Sequence, residues 1–229
     1  KANPDWLLSF FNNPSIIRPN LRVKMPSFHQ ISDKEWDAII AYFKHMDHET
    51  VNYRSPHAYD IASTEFDAGE KIHELGQCSS CHFYGEVFPT GDAPTWAPNL
   101  AMTKERLNPE WVTEWLKNPQ AIMPGTKMPA PYIPDSEILS AEGAVNDWGK
   151  ALVALDGDTT DMLNGLRDYL WDIKGSVNID QLIKDYFAEN GYDFENSGSE
   201  EEYDDDDDEW DDEDDGDDDD WDDDDDWKK

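Results

Sequence analysis

Basic residues are scarce in this chain. Its 229 residues include 18 lysines and arginines against 53 aspartates and glutamates, a formal net charge of −35 at neutral pH. That deficit excludes nucleic-acid binding driven by counterion release, which needs a basic surface. It favours basic partners or strong solvation instead. Long apolar runs are also missing. No stretch approaches the ~18 consecutive apolar residues that cross a membrane. The chain opens on Lys1 with no signal-peptide pattern, which leads us to expect a processed or truncated product. Cysteine is nearly absent, with only two residues, and their number alone leaves the redox compartment open.

The charge is unevenly spread. From residue 200 to 229 the chain is almost all Asp and Glu, interrupted by Trp210, Trp221 and Trp227 and closed by Lys228 and Lys229. Such a segment is expected to be a disordered, solvated tail, because it cannot collapse into a core. Its functional reading is an electrostatic arm for a basic partner, with the tryptophans as anchors. Divalent-cation binding by its acids is a further reading, although the glycine-containing EF-hand loop is lacking.

Both cysteines fall in "QCSSCHFYG", residues 77–85. Cys78, Cys81 and His82 spell Cys-x-x-Cys-His, the attachment signature of c-type haem. Each thiol adds across one vinyl group, and the histidine that follows lies under the ring to ligate iron. The sixth ligand must come from elsewhere, usually His or Met. A structural zinc site needs about four N or S ligands, and there is no second cysteine pair. A redox dithiol would sit in a βαβ pattern, which is absent. A plain disulfide leaves His82 unexplained. The sixth ligand is expected to be Met128, in "PGTKMP", where prolines and Gly125 argue against a core helix. Met102 and Met123 read as packing residues, and His73 as a surface residue.

An internal repeat organises the chain. "PDWLLSFFNNPSIIRPNLRVKMP" (4–26) parallels "PEWVTEWLKNPQAIMPGTKMP" (109–129). Pro4, Trp6, Asn13, Pro14, Ile17 and Pro19 match Pro109, Trp111, Asn118, Pro119, Ile122 and Pro124. After a two-residue insertion, Lys24-Met25-Pro26 matches Lys127-Met128-Pro129. Each copy predicts a short helix stopped by Asn-Pro, a proline-rich loop carrying a methionine, and a further helix. In copy one that helix spans 32–46, opened by a Ser32/Glu35 capping box, with Trp36, Ile39, Ile40 and Phe43 on one face. In copy two it spans 161–173, with Leu163, Leu166 and Leu170 inward, after an insertion at 131–160. A helix at 64–75 leads into the cysteines.

Together "AGEKIHELGQCSSCH", "WAPNL", "WVTEWLKNP" and "PGTKMP" make residues 64–173, about half of the chain, resemble a class I cytochrome c domain. The resemblance implies an all-α, cytochrome c-like fold whose first and last helices cross over a covalent haem. It implies that Gly69 admits an aromatic of the last helix, Tyr169 or Trp171. It also implies that the Pro98 carbonyl accepts a hydrogen bond from His82, a contact that orients the ligand. Trp111 or Trp115 would line the haem pocket near a propionate. Two departures are Ala97, where glycine is usual before that proline, and the insertion. Because bacteria attach haem c outside the cytoplasm, the resemblance implies a periplasmic or extracellular-facing place.

The domain plan expected is therefore a back half of a cytochrome c domain at 1–48, without a Cys-x-x-Cys-His of its own. A linker at 49–63, the haem domain at 64–175, a helical extension at 176–199 and the acidic tail at 200–229 follow. Residues 1–48 are too few to bury a haem alone. Three readings of that half stand open: a fragment of a second haem domain, the complement of another chain's haem site, or a relic packed on the intact domain. In the first two, Met25 would ligate a second haem iron, with His29 a weaker substitute. The function expected is one-electron transfer as a subunit or domain of a larger respiratory complex, not catalysis by this chain, with redox proteins as partners. Two alternatives are a haem enzyme subunit whose Met128 dissociates, and a docking protein acting through its tail.

Overall fold

The computed structural model describes residues 1–19, 25–46 and 57–191. The described residues are all helix and loop, with three isolated β-bridges and no strand. The acidic tail and Lys24 lie outside the described residues, as do most of the linker and the end of the extension.

The N-terminal repeat copy supplies α1 (Pro4–Asn12) and α2 (Asp33–Met46). Asn3 caps α1 by accepting from the Asp5 amide, and proline in the first turn needs no intrahelical donor. The Ser32 backbone N–H and hydroxyl both donate to Glu35 Oε2, at 2.8 and 2.7 Å, closing the capping box of α2. Trp36 and Ile40 are buried, and Phe11 stacks on Trp36 at 4.4 Å. Phe43, expected on the buried face, is exposed.

The second unit begins with α3 (Thr64–Leu75), capped by Ser63. Then come the one-turn α4 (Thr103–Arg106), α5 (Pro109–Lys117) and α6 (Pro119–Ile122). Asn108 caps α5 as Asn3 caps α1, and both helices end at an Asn-Pro whose asparagine leaves helical geometry. The insertion folds into α7 (Ser136–Leu139), α8 (Ala144–Trp148) and α9 (Lys150–Ala154). Leu139 and Leu152 from it are fully buried in the main core. The unit closes with α10 (Thr159–Asp172), and α11 (Asp180–Glu189) follows.

The main core lies where α3 crosses α10, with Ala68, Ile72, Met162, Leu163, Leu166 and Leu170 between them and Val112 and Leu116 added from α5. The crossing differs from the expected one. Gly69 does not admit an aromatic ring. It faces the backbone of Gly165, and a Cβ on Gly69 would lie 2.1 Å from the Gly165 carbonyl oxygen. Tyr169 sits one turn further on, against Phe66 and His73, and Trp171 turns to His57. Two small residues let the helix backbones touch, so no side chain fits between them.

Residues 57–63 of the expected linker are not free. His57 pairs with Asp168 at 2.7 Å, and the Tyr59 hydroxyl donates to Asp172 at 2.8 Å. A second cluster forms where α11 covers the loop after the cysteines, joining Phe83, Trp96, Ile179, Ile183 and Phe187 to Ile16 of the N-terminal copy. Asn99, only 2 % exposed, ties these parts together. It accepts from the amides of Gly85 and Ala101 and donates to the carbonyls of Gly85 and Ser176. Asn99→Ala would orphan those buried groups. We expect it to cost about 3 kcal/mol, as several hydrogen bonds of about 1 kcal/mol each. Urea unfolding should show a lower midpoint at unchanged slope.

Candidate functional site

The loop after α3 builds the first half of the site. Gly76 ends the helix, and Gln77 adopts φ +49°, turning the chain into the short turn Cys78–Ser80. The amides of Cys81 and His82 both donate to the Cys78 carbonyl, at 3.3 and 3.0 Å. One turn therefore gathers two sulfurs and an imidazole. The cysteines are half-buried free thiols, not a disulfide, and burial pushes the Cys78 thiol up from its ordinary pKa.

His82 is oriented by its neighbours. Its Nδ1 lies 2.7 Å from the Pro98 carbonyl oxygen. A carbonyl can only accept, so Nδ1 carries the proton and Nε2 keeps its lone pair. Burial lowers the His82 pKa, against the smaller opposing effect of that carbonyl. The ring is thus held neutral, the form that ligates a metal. The carbonyl is placed by a short parallel bridge between His82 and Ala97, with the Ala97 amide donating to the Cys81 carbonyl at 2.7 Å. Ala97 is not among the residues with positive φ, so no backbone demand for glycine exists there.

The second half comes from the loop after α6. Gly125, at φ +81°, turns the chain, and the Gln120 side chain grips the turn through the Gly125 amide and the Thr126 carbonyl. The Met128 amide reaches the Thr126 hydroxyl at 3.4 Å. The half-buried Met128 side chain packs on the main core, and Trp115 Nε1 donates to its sulfur at 2.9 Å. Trp111 stacks on Trp115 at 5.2 Å. The structure thus joins His82 to Pro98, and Met128 to Trp115, on which Trp111 stacks.

His73, expected at the surface, is half-buried instead. It contacts the Tyr84 hydroxyl and the Tyr169 ring, and burial lowers its pKa to about 4. Met102 is buried, and Met123 lies against Arg18 at 3.7 Å. Met25 is half-buried and His29 exposed, on the separate N-terminal copy. Sequence reasoning missed Asn99, although it sits inside the quoted "WAPNL". Its partners at Gly85 and Ser176 are distant in the chain, and no local pattern announces them.

Two thiols, a neutral imidazole and a thioether are the donor set that a haem c takes. Among the described residues, no group of three or more His, Cys, Asp or Glu side chains could hold a metal ion by itself. A known protein shares part of this sequence. The chain is 36% identical over 99 residues to cytochrome c oxidase subunit 2 of Bacillus subtilis (strain 168). The match covers 39% of this chain and 27% of that protein, so the chain spans about a quarter of the relative's length. No protein-family model matches the chain, and no solved structure does.

The indole–sulfur contact makes a prediction. Trp115→Phe should strengthen Met128 as an electron donor by removing the N–H from its sulfur. If a metal is bound there, its midpoint potential should fall. A hydrogen bond of about 1 kcal/mol corresponds to about 40 mV for one electron. A redox titration of the variant beside the parent measures it.

Proposed function

We propose that this chain carries single electrons through a covalently bound haem c. Cys78 and Cys81 would anchor the group, and His82, through Nε2, and Met128 would ligate its iron. When bound, the haem supplies a one-electron ferric–ferrous couple at a potential raised by the thioether. The rest is the work of this chain. Pro98 fixes the His82 tautomer, Trp115 tempers the Met128 sulfur, and the crossing of α3 on α10 supports the loop that carries the cysteines. The observation that carries the reading is the 2.7 Å contact from Nδ1 of the histidine after two cysteines to a proline carbonyl. It leaves one basic nitrogen for a metal.

The similarity to an oxidase subunit supports a place in a respiratory redox complex, with a metal cofactor and an extracellular-facing or periplasmic setting. Among the described residues, no helix is long and apolar enough to cross a membrane. Its partners would be redox proteins, met through basic surfaces that the acid-rich segment attracts.

The test is direct. The protein is produced with a haem-attachment system, and its intact mass and reduced absorption spectrum are recorded. One haem bound through Cys78 and Cys81 is expected, and Cys78→Ala with Cys81→Ala should abolish it. A purified protein with no covalent haem sinks the reading.

A further inference from the structure

The two repeat copies meet along a seam. Residues 1–3 and 106–108 pair antiparallel around Ala2 and Leu107. The Asn3 amide donates to the Arg106 carbonyl and the Asn108 amide to the Lys1 carbonyl, both at 2.8 Å. Lys1 Nζ lies 5.0 Å over the Trp111 ring, and the Arg106 guanidinium 5.5 Å over the Trp6 ring. Arg18 reaches across to the Met123 sulfur at 3.7 Å. Three cations thus collect at one place, and none makes an ion pair with a carboxylate among the described residues. Burial, with the Arg18 charge adding to it, lowers the Arg106 pKa to about 10. Burial lowers that of Lys1 too, followed by the charges of Arg106 and Arg18. Cations drawn from water beside one another call for a counter-charge.

The chain is not short of carboxylates, but it places them elsewhere. It carries 53 acids, yet none lies between Asp5 and Asp33. Residues 1–46 hold six lysines and arginines against four acids, whereas residues 47–229 hold 12 against 49. The N-terminal copy is a basic patch on an acidic chain. Residues 200–229 are its opposite, with 23 acids, two lysines, and Trp210, Trp221 and Trp227 among them. That segment offers both partners a guanidinium takes, carboxylates for its N–H groups and ring faces for its plane. Arg106 on Trp6 already makes the second kind of contact. The point of attachment is also close. In α11, the last described helix, the Asp180 carboxylate accepts from the Ile16 amide at 2.9 Å, two residues before Arg18. From Gly191 the chain reaches Trp210 over a span of up to ~60 Å when extended.

We propose that Lys1, Arg18 and Arg106 form a docking surface for the acidic segment of this same chain, residues 200–229. Aspartate carboxylates pair with the three cations, and an indole of the segment rests on the exposed Arg18 guanidinium. Exposed ion pairs are individually weak. The strength of this contact comes from the number of acids and from the tether, which keeps their local concentration high. The consequence is competition. Acids held on the seam are withheld from a basic partner, and such a partner must displace them to dock. The contact is a salt-sensitive latch on the segment proposed above to attract partners.

The test is zero-length cross-linking of the full 229-residue chain at low salt. A carbodiimide activates a carboxylate, a lysine amine displaces it as a urea, and an amide forms with loss of one water from the protein. The joined peptides are mapped by mass spectrometry. We expect Lys1 to join aspartates of 200–229 several-fold more often than Lys117 or Lys150, which are exposed on the other unit. Arg18→Glu should cut the Lys1 yield several-fold. Arg18 is exposed, so the reversal should leave the urea midpoint unchanged. Arg18→Lys keeps the charge, and its new amine should itself be joined to the segment. Equal yields at Lys1, Lys117 and Lys150 overturn the proposal. So does a Lys1 yield untouched by Arg18→Glu, or no joining at position 18 in Arg18→Lys. A product with the mass of two chains also overturns it, by assigning the surface to the segment of a second copy. None of these outcomes bears on haem attachment, so the proposed function stands or falls separately.

Discussion

Gly165→Ala is expected to keep α3 and α10 from closing. A Cβ at Gly165 would stand 1.8 Å from the Glu65 carbonyl oxygen, and one at Gly69 2.1 Å from the Gly165 carbonyl oxygen. In both cases the obstacle is backbone within a helix, which cannot swing aside as a side chain can. Overpacking a core costs about 1–3 kcal/mol when side chains can adjust. Here the helices must separate, and the core between them loses contact over its full length. A loss of at least ~3 kcal/mol is expected, a large share of the ~5–15 kcal/mol that folded domains possess. Gly125→Ala is the control. Nothing lies within 4 Å of that Cβ, and its φ of +81° alone costs about 1 kcal/mol. Urea unfolding of the two variants beside the parent compares them. Equal losses from the two substitutions would mean that the crossing is not the keystone described here.

The second large effect is expected at Met128. In the proposed haem-bound protein, Met128→His would exchange a thioether ligand for an imidazole. Thioether ligation favours the reduced metal and imidazole the oxidised one. The midpoint potential should fall by a substantial part of the ~0.8 V range over which axial ligands act. The methionine–iron absorption should vanish. The fold should survive, because Met128 is only half-buried and its loop is held by Gln120 and Thr126. Met123→Leu and Met102→Leu serve as comparisons, since Met123 lies against Arg18 and Met102 is buried packing. If either shifts the potential as far as Met128→His does, the ligand has been misassigned.

What could be read in the sequence was local. Asn-Pro brackets α1 and α5, Ser32 and Glu35 open α2, and the apolar spacing of α10 places Leu163, Leu166 and Leu170 in the core. Such signals act within a turn or two, so a linear reading captures them. The same holds for Cys78, Cys81 and His82, which one turn gathers. What could not be read depended on depth and on distant partners. Gly69 announced a close approach, but Gly165 as its partner follows only from the register of two helices far apart in the chain. His73 sits on a polar stretch of α3 and is covered by Tyr84 and Tyr169 from two other segments. The insertion was legible as an interruption, yet its Leu139 and Leu152 are core residues. The repeat was visible, but the exchange of Lys1 and Arg106 over each other's tryptophans is a property of space.

The crossing of α3 on α10 also sets a timetable. Gly69 and Gly165 are separated by about a hundred residues, so α3 has no mate until nearly the whole unit has been made. Synthesis proceeds at ~5–20 residues per second, which leaves the cysteine turn without its closing helix for several seconds. Loop closure over such a span is slow in its own right. Until α10 arrives, α3 and the cysteine turn that follows it lack the backbone contact that fixes them.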